Sequence, residues 1–496
     1  MTKTNSKKAL LSSAFALVLS AAMLVGTTFA WFTDTASTGV NKIVSGNLKV
    51  DIIGENSDSH IEKLNFKKTA ATDAEAGAAI LWEPGCRYLT EGFRIANKGN
   101  LALKWKAQVN MNNIINGKVE GSTIAKDGKS LLDVIDFYVV TSTDKNAEAV
   151  AIENFVGNLT AGAKSGVYYI KGVMQTTAGN DYQGLTLDGI TITVVATQDT
   201  VENDSFNNQY DKDAEYPILV TTGDELQAIV SNATAPVNIV LANSITTNNF
   251  VIPADKDVTL DLNGRTVTNA GSHTILNKGH LTLTDSSTDK SGQIISLKGN
   301  TAALRNGDNA VCVVEGGTIS RDGANGNTWH VVENFGKMIF NGGKVVLKSG
   351  NGFAITNGWN YFDPGASTTH AVMEINALEL DTDSSGIKNC RYGDLTVNGV
   401  TVNSTGFWAL SNDYLGTAVI NGGTLTSNSF KAVSNGAAMT VNGGTFDGTE
   451  GLFVQSYATS TVLNGGTFTN MNVDALSSYV GTGHTAQQSG TSVIIK

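Results

Sequence analysis

In the second half of the chain, apolar residues come in runs of two to five, and Gly and Asn break the runs at recurring intervals. VEGG, FNGG, MEIN, VNG, INGG, VNGG and LNGG place Glu315, Asn341, Asn376, Asn398, Asn421, Asn442 and Asn464 in one slot, each after an apolar residue. From Asn376 onward the steps are 22, 23, 21 and 22 residues. A second column runs in phase: Asn277, Asn306, Asn334, Asn357, Asn389, Asn412 and Asn435. Two residues before these stand Ile275, Leu304, Val332, Ile355, Ile387, Leu410 and Val433. A third short run, such as Thr445-Phe446, follows the glycine pairs. A period of this size with three short strands per repeat predicts stacked supersecondary units. The fold expected is a right-handed parallel β-helix over 237–496, with coils of about 22 residues rising about 4.8 Å each. Neither a six-residue rhythm nor the GGxGxDxUx nonapeptide is present, which excludes the two rival solenoids.

Upstream, TTGDELQAIVSN carries Leu226, Ile229 and Val230 at helical spacing, so 217–236 is read as a capping helix and first strand that close the open sheet edges. The C-terminal SVIIK reads as a last strand with no cap of its own. Between Trp31 and Tyr216 the repeat is absent. There Leu103, Trp105, Ala107 and Val109 alternate with Lys104, Lys106, Gln108 and Asn110, the period of a half-buried strand. Further strands are expected near Asn47–Ile53, Phe137–Thr141, Val167–Met174 and Thr191–Ala196. The whole is all-β, with a jelly-roll β-sandwich over 31–216 ahead of the solenoid.

Low charge, 53 Gly and only 5 Pro suit a turn-rich β protein. Lys3, Lys7 and Lys8, an apolar run from Ala9 to Val25, and Thr28-Phe29-Ala30 form the three parts of a secretory signal over 1–30, with cleavage expected between Ala30 and Trp31. Net charge is −11, which argues against nucleic acid or anionic membrane as partner. Of three cysteines, Cys312 falls at an inward position and Cys390 beside a ladder Asn three coils away, too far apart for a disulfide. Export with unpaired thiols points to a Gram-positive cell rather than an oxidising periplasm.

GTTFAWFTDTAS, SGNLKVDI, LWEPGCRYLTEGFRIANKGNLALKWKAQV and AGNDYQGLTLDGITITVVATQDTVENDSFNNQYD resemble the TasA/camelysin family over roughly the first 215 residues. The resemblance implies a SipW-type signal peptidase, a jelly roll, and biofilm-matrix assembly in which an N-terminal strand, here about Trp31 to Asp51, completes the sheet of the next subunit. The solenoid resembles the pectate-lyase-like kind. Members called metalloproteases find no echo here: a zinc protease needs paired histidines flanking a Glu, and 31–216 holds only His60.

Two insertions break the period, Arg321 to His330 and Asn357 to His370. Loops on a rigid scaffold are where binding resides. Trp329, Trp359, Tyr361 and Trp408 offer flat faces for sugar stacking, and Asn360, Asp363 and Asp413 hydrogen-bond partners. Arg305 and Glu333, one coil apart, read as an exposed ion pair. Glu202 to Tyr216 reads as a solvated linker, with structural calcium as the alternative. These features predict a secreted surface or matrix protein, structural or adhesive, with extracellular glycans and further copies of itself as partners and no catalytic residues. The alternative is a polysaccharide-degrading lyase or glycosidase, which would need carboxylates facing across a groove.

Overall fold

A computed structural model describes residues 47–61, 64–67, 80–110, 114–115, 118–119, 129–144, 147–187, 191–199, 216–322, 329–348, 352–359 and 369–496. These residues belong to one compact unit. The chain is all-β, and its larger part is a parallel β-helix of about 10 turns.

Three sheets wrap the solenoid. The first runs from Ile218–Val220 to Ser460–Leu463, the second from Ile245–Thr247 to Gly466–Phe468, and the third from Val251–Ile252 to Leu452–Val454. Every coil-to-coil pairing among them is parallel, so like residues stack. In the first sheet Leu281, Cys312, Met338, Met373, Leu395, Ala418 and Met439 form one inward file. In the third, Ile275, Leu304, Val332, Ile355, Ile387, Leu410, Val433 and Leu452 form another. Both files lie inside the hydrophobic core. Burial raises the Cys312 and Cys390 thiols to about 12, so both are inert core groups, and no cysteine is bridged.

The corner after the third sheet turns on buried asparagines. Asn277, Asn306, Asn334, Asn357, Asn389 and Asn412 each donate Nδ2–H to Oδ1 of the next, ending on Asn435, at 2.7 to 2.9 Å. The other Nδ2–H of each goes to a backbone carbonyl such as that of Thr417 or Ala438, which fixes the amide orientation. An outer ladder follows the first sheet and runs the opposite way. Asn464 donates to Asn442, and so on through Asn421, Asn398, Asn376 and Asn341 to the Glu315 carboxylate, at 2.7 to 3.0 Å. A carboxylate only accepts, so Glu315 dictates the direction of every amide above it. The second glycine of each NGG takes positive φ, 108° at Gly423 and 110° at Gly444, where L side chains resist the turn.

Both ends of the solenoid are covered. The helix Gly223–Asn232 is capped by Thr222, whose Oγ1 accepts the Glu225 N–H at 3.1 Å, and it buries Leu226 and Val230 on the first coils. The expectation of an uncapped C-terminal end is wrong. A short helix, Val473–Leu476, buries Leu476, and Ser492–Ile495 pairs antiparallel with both Gly466–Phe468 and Ala486–Ser489. The reversal ends the parallel stack; four helical residues are too few to show a period.

The first part of the chain forms antiparallel sheets. Leu103–Asn110 sits between Val156–Leu159 and Thr191–Gln198, and Tyr169–Met174 between Arg87–Thr90 and Ile135–Val140. Their core gathers Trp105, Phe93, Ile95 and Phe155. Val50–Gly54 pairs with Phe93–Asn97, so Val50 and Asp51, at the end of the proposed donor segment, are already paired within the chain. Asn47 and Lys49 also accept backbone bonds within the chain, from Asn100 and Lys98, and 31–46 lies outside the described residues, as does the signal segment 1–30 with Ala30. Val195 packs on Leu219 and Ala242, and Tyr216 lies under Lys104 and Lys106, joining these sheets to the first coil.

The two ladders differ in burial and should differ in worth. Asn389→Ala strips partners from buried amides and is expected to cost about 2–3 kcal/mol. Asn421→Ala, on the exposed ladder, should cost less than about 1 kcal/mol. Chemical denaturation of both variants checks this, and equal losses would contradict it.

Candidate functional site

Third-sheet strands are mostly three residues long and place two side chains inward around one outward. By register the outward row reads Leu276, Arg305, Glu333, Thr356, Lys388, Ser411, Ser434 and Phe453. Two residues before the inward aliphatics stand His273, Ala302, His330, Phe353, Ser385, Trp408, Lys431 and Glu450.

The Arg305–Glu333 pair is not the exposed one expected from sequence. Nη1 and Oε2 are 2.9 Å apart, but the Glu333 side chain is only 4% exposed. The Arg305 guanidinium lies 4.6 Å from the Phe335 ring centre, and Phe335 packs on Trp359 at 4.5 Å. Those aromatics come from the corners of the next two coils and fold along the axis, a placement that residue spacing does not encode. Glu333 is screened from water, so removing Arg305 would strand a buried charge.

Two histidines flank it. His273 Nδ1 accepts the Ala302 N–H at 2.9 Å, so that imidazole is neutral with its proton on Nε2. His330 Nδ1 lies 3.2 Å from the Phe353 carbonyl oxygen and donates to it. Burial pushes both imidazoles below their ordinary range, against a partial pull upward from Glu333.

Toward the C-terminal coils the face becomes aromatic, with paired charges. Lys388 binds Asp413 at 3.2 Å and Lys431 binds Glu450 at 3.0 Å, while Lys431 Nζ stands 3.6 Å over Phe453. Trp408 meets Phe430 edge-on at 4.6 Å and stacks over Phe453 at 6.0 Å. Phe407 and Tyr457, both 55% exposed, keep rings in water.

Of the residues singled out from sequence, Trp408 stands on this shelf against Phe430 and Phe453, while Asp413, at the other end of the strand Leu410–Asn412, holds Lys388. Trp359 is consumed in packing: its ring covers Phe335, its backbone pairs with Arg391, and its Nε1 is buried without a partner. Trp329 is exposed and lies 6.0 Å from the His330 ring. Asn360, Tyr361 and Asp363 lie outside the described residues, as does Trp31. Phe430 and Phe453 escaped the sequence reading, although Phe430 follows Trp408 by 22 residues, one coil period. Among the described residues no group of three or more His, Cys, Asp or Glu could hold a metal ion. None of their helices is long and apolar enough to cross a membrane. Comparison with protein-family models, curated proteins and solved structures found no match.

The lowered histidines make stability pH-dependent. In the unfolded chain a histidine titrates near about 6.5. Below that value the unfolded state binds more protons than the folded one, so stability falls as pH drops from about 6.5 toward the depressed folded values. Urea midpoints should therefore decline through this window, and the decline should shrink in His273→Asn/His330→Asn. An unaltered decline would place its origin elsewhere.

Proposed function

We propose that this chain is a secreted surface or matrix protein of a Gram-positive bacterium, structural or adhesive rather than catalytic. Its TasA-like first part, a jelly roll in this reading, assembles or anchors the molecule. Its solenoid, right-handed in this reading, is a stiff spacer that displays the third-sheet face to extracellular glycans. One observation carries the non-catalytic reading: the acids on and beside this face, Glu333, Asp413 and Glu450, are each held by a cation. A glycosidase needs carboxylates at liberty to move protons across a groove. A neutral face with flat apolar rings and short hydroxyls instead suits an uncharged, polyhydroxylated ligand.

The export and assembly half of the proposal rests on the leader-like segment, the TasA-like segments and the antiparallel sheets over 47–199. With Val50 and Asp51 paired in-chain, the donor strand reduces to 31–46.

Binding of the chain from Trp31 onward to neutral polysaccharides should weaken about tenfold or more in Trp408→Ala, equivalent to about 1.4 kcal/mol. Unchanged binding in that variant, or release of new reducing ends by the wild type, would overturn the adhesive reading. Electron microscopy tests assembly separately: fibres are expected from the chain beginning at Trp31 and single particles from one beginning at Asn47. Identical particles from both would remove the donor-strand role.

A further inference from the structure

The outer asparagine ladder is the one prominent motif that neither packing nor the glycan face uses up. Asn341, Asn398, Asn421, Asn442 and Asn464 are each followed by glycine. Asn-Gly is the dipeptide in which the next backbone nitrogen most readily reaches the side-chain carbonyl carbon, because glycine adds no Cβ to hinder it. Asparagine is among the thermolabile residues for this reason. The ladder opposes that attack by holding each amide at both ends. Asn421, for example, donates to Asn398 at 2.7 Å and accepts from Asn442 at 2.8 Å.

Asn464 is the exception. It donates to Asn442 at 2.9 Å, but no asparagine stands beyond it. Val480 pairs with Leu463, so the slot above Asn464 falls to Gly481, which has no side chain to donate. A Cβ at Gly481 would collide with Asn464 Oδ1, so no side chain could stand there without displacing that oxygen.

We infer that Asn464–Gly465 is a site of spontaneous deamidation and the point from which conversion proceeds down the ladder toward Glu315. The Gly465 backbone nitrogen loses its proton and bonds to Cγ of Asn464. The Cγ–Nδ2 bond breaks, ammonia leaves, and a five-membered succinimide remains. Water opens the ring at either carbonyl, giving an aspartyl or isoaspartyl linkage, with no change of oxidation state. The new carboxylate has no proton to donate, so the bond to Asn442 Oδ1 is lost. Asn442 is then held at one end only, as Asn464 was before, and becomes the next residue to convert. The direction follows from the amide polarity: a carboxylate is at home only at the accepting end, where Glu315 already stands.

The test is a time course on the folded full-length chain in mildly alkaline buffer below its melting temperature, with peptide mapping that resolves aspartyl and isoaspartyl products. Asn464 should convert about tenfold faster than Asn421, the factor that one hydrogen bond of roughly 1.4 kcal/mol is worth. Asn442 should follow after a lag, and in denaturant all five sites should convert at comparable rates. In Asn464→Asp the lag at Asn442 should disappear while Asn341 stays as slow as in the wild type. Conversion of Asn421 or Asn398 as fast as Asn464 in the folded chain would overturn the inference. So would persistence of the lag in the variant, or no conversion at Asn464 while the unfolded chain converts.

Discussion

A parallel coil that turns on a buried asparagine is best stacked on another that offers an amide at the same height. At the two ends, where Ile252 and Val454 take the slot, backbone groups and a hydroxyl serve instead. Each interior amide has two protons and a carbonyl oxygen to satisfy away from water, and an unmade bond there is costly. The file from Asn277 to Asn435 meets this demand by passing one proton to the next coil and one to a backbone carbonyl. The identity of one residue per coil is thereby tied to that of its neighbours, and the aliphatic files beside it inherit the register. Coil spacing, strand length and the flat stacking of Phe446 on Phe468 at 4.8 Å all follow.

The two ladders run in opposite directions, so their amide dipoles oppose one another along the axis rather than adding. The outer one is oriented by a single carboxylate, Glu315. The inner one ends on Asn435, which donates to the Thr461 hydroxyl at 2.7 Å. Each ladder thus stops at a side chain able to accept without passing a proton on.

Freedom begins where the ladders end. An outward position has no stacking requirement, so the third sheet carries charges, hydroxyls and rings in an irregular sequence. Local chemistry then orders them: Arg305 with Glu333, Lys388 with Asp413, Lys431 with Glu450. The resulting face is rigid and neutral in a chain whose net charge is −11. A polymer without charge can approach it at no electrostatic cost, which is why the adhesive reading places contact here.

Period, strand direction and the inward files were all legible in the chain, because a coil of about 22 residues repeats its constraint locally and each slot announces its own residue type. The same holds for the helix in TTGDELQAIVSN and for the alternating strand around Trp105, whose signals lie within a single element. The site was less legible. Trp408 was found as a residue type, but the partners that make a shelf of it, Phe430 and Phe453, come from later coils. Only the tertiary structure decided that Glu333 is buried, that Trp359 is a lid on Phe335 rather than a platform, and that the C-terminal edge closes with an antiparallel hairpin. For Glu333 and Trp359 the physical reason is shared. Burial of an outward side chain depends on what the corners of neighbouring coils fold over it along the axis, and the coil period places those corners without saying which way their side chains turn.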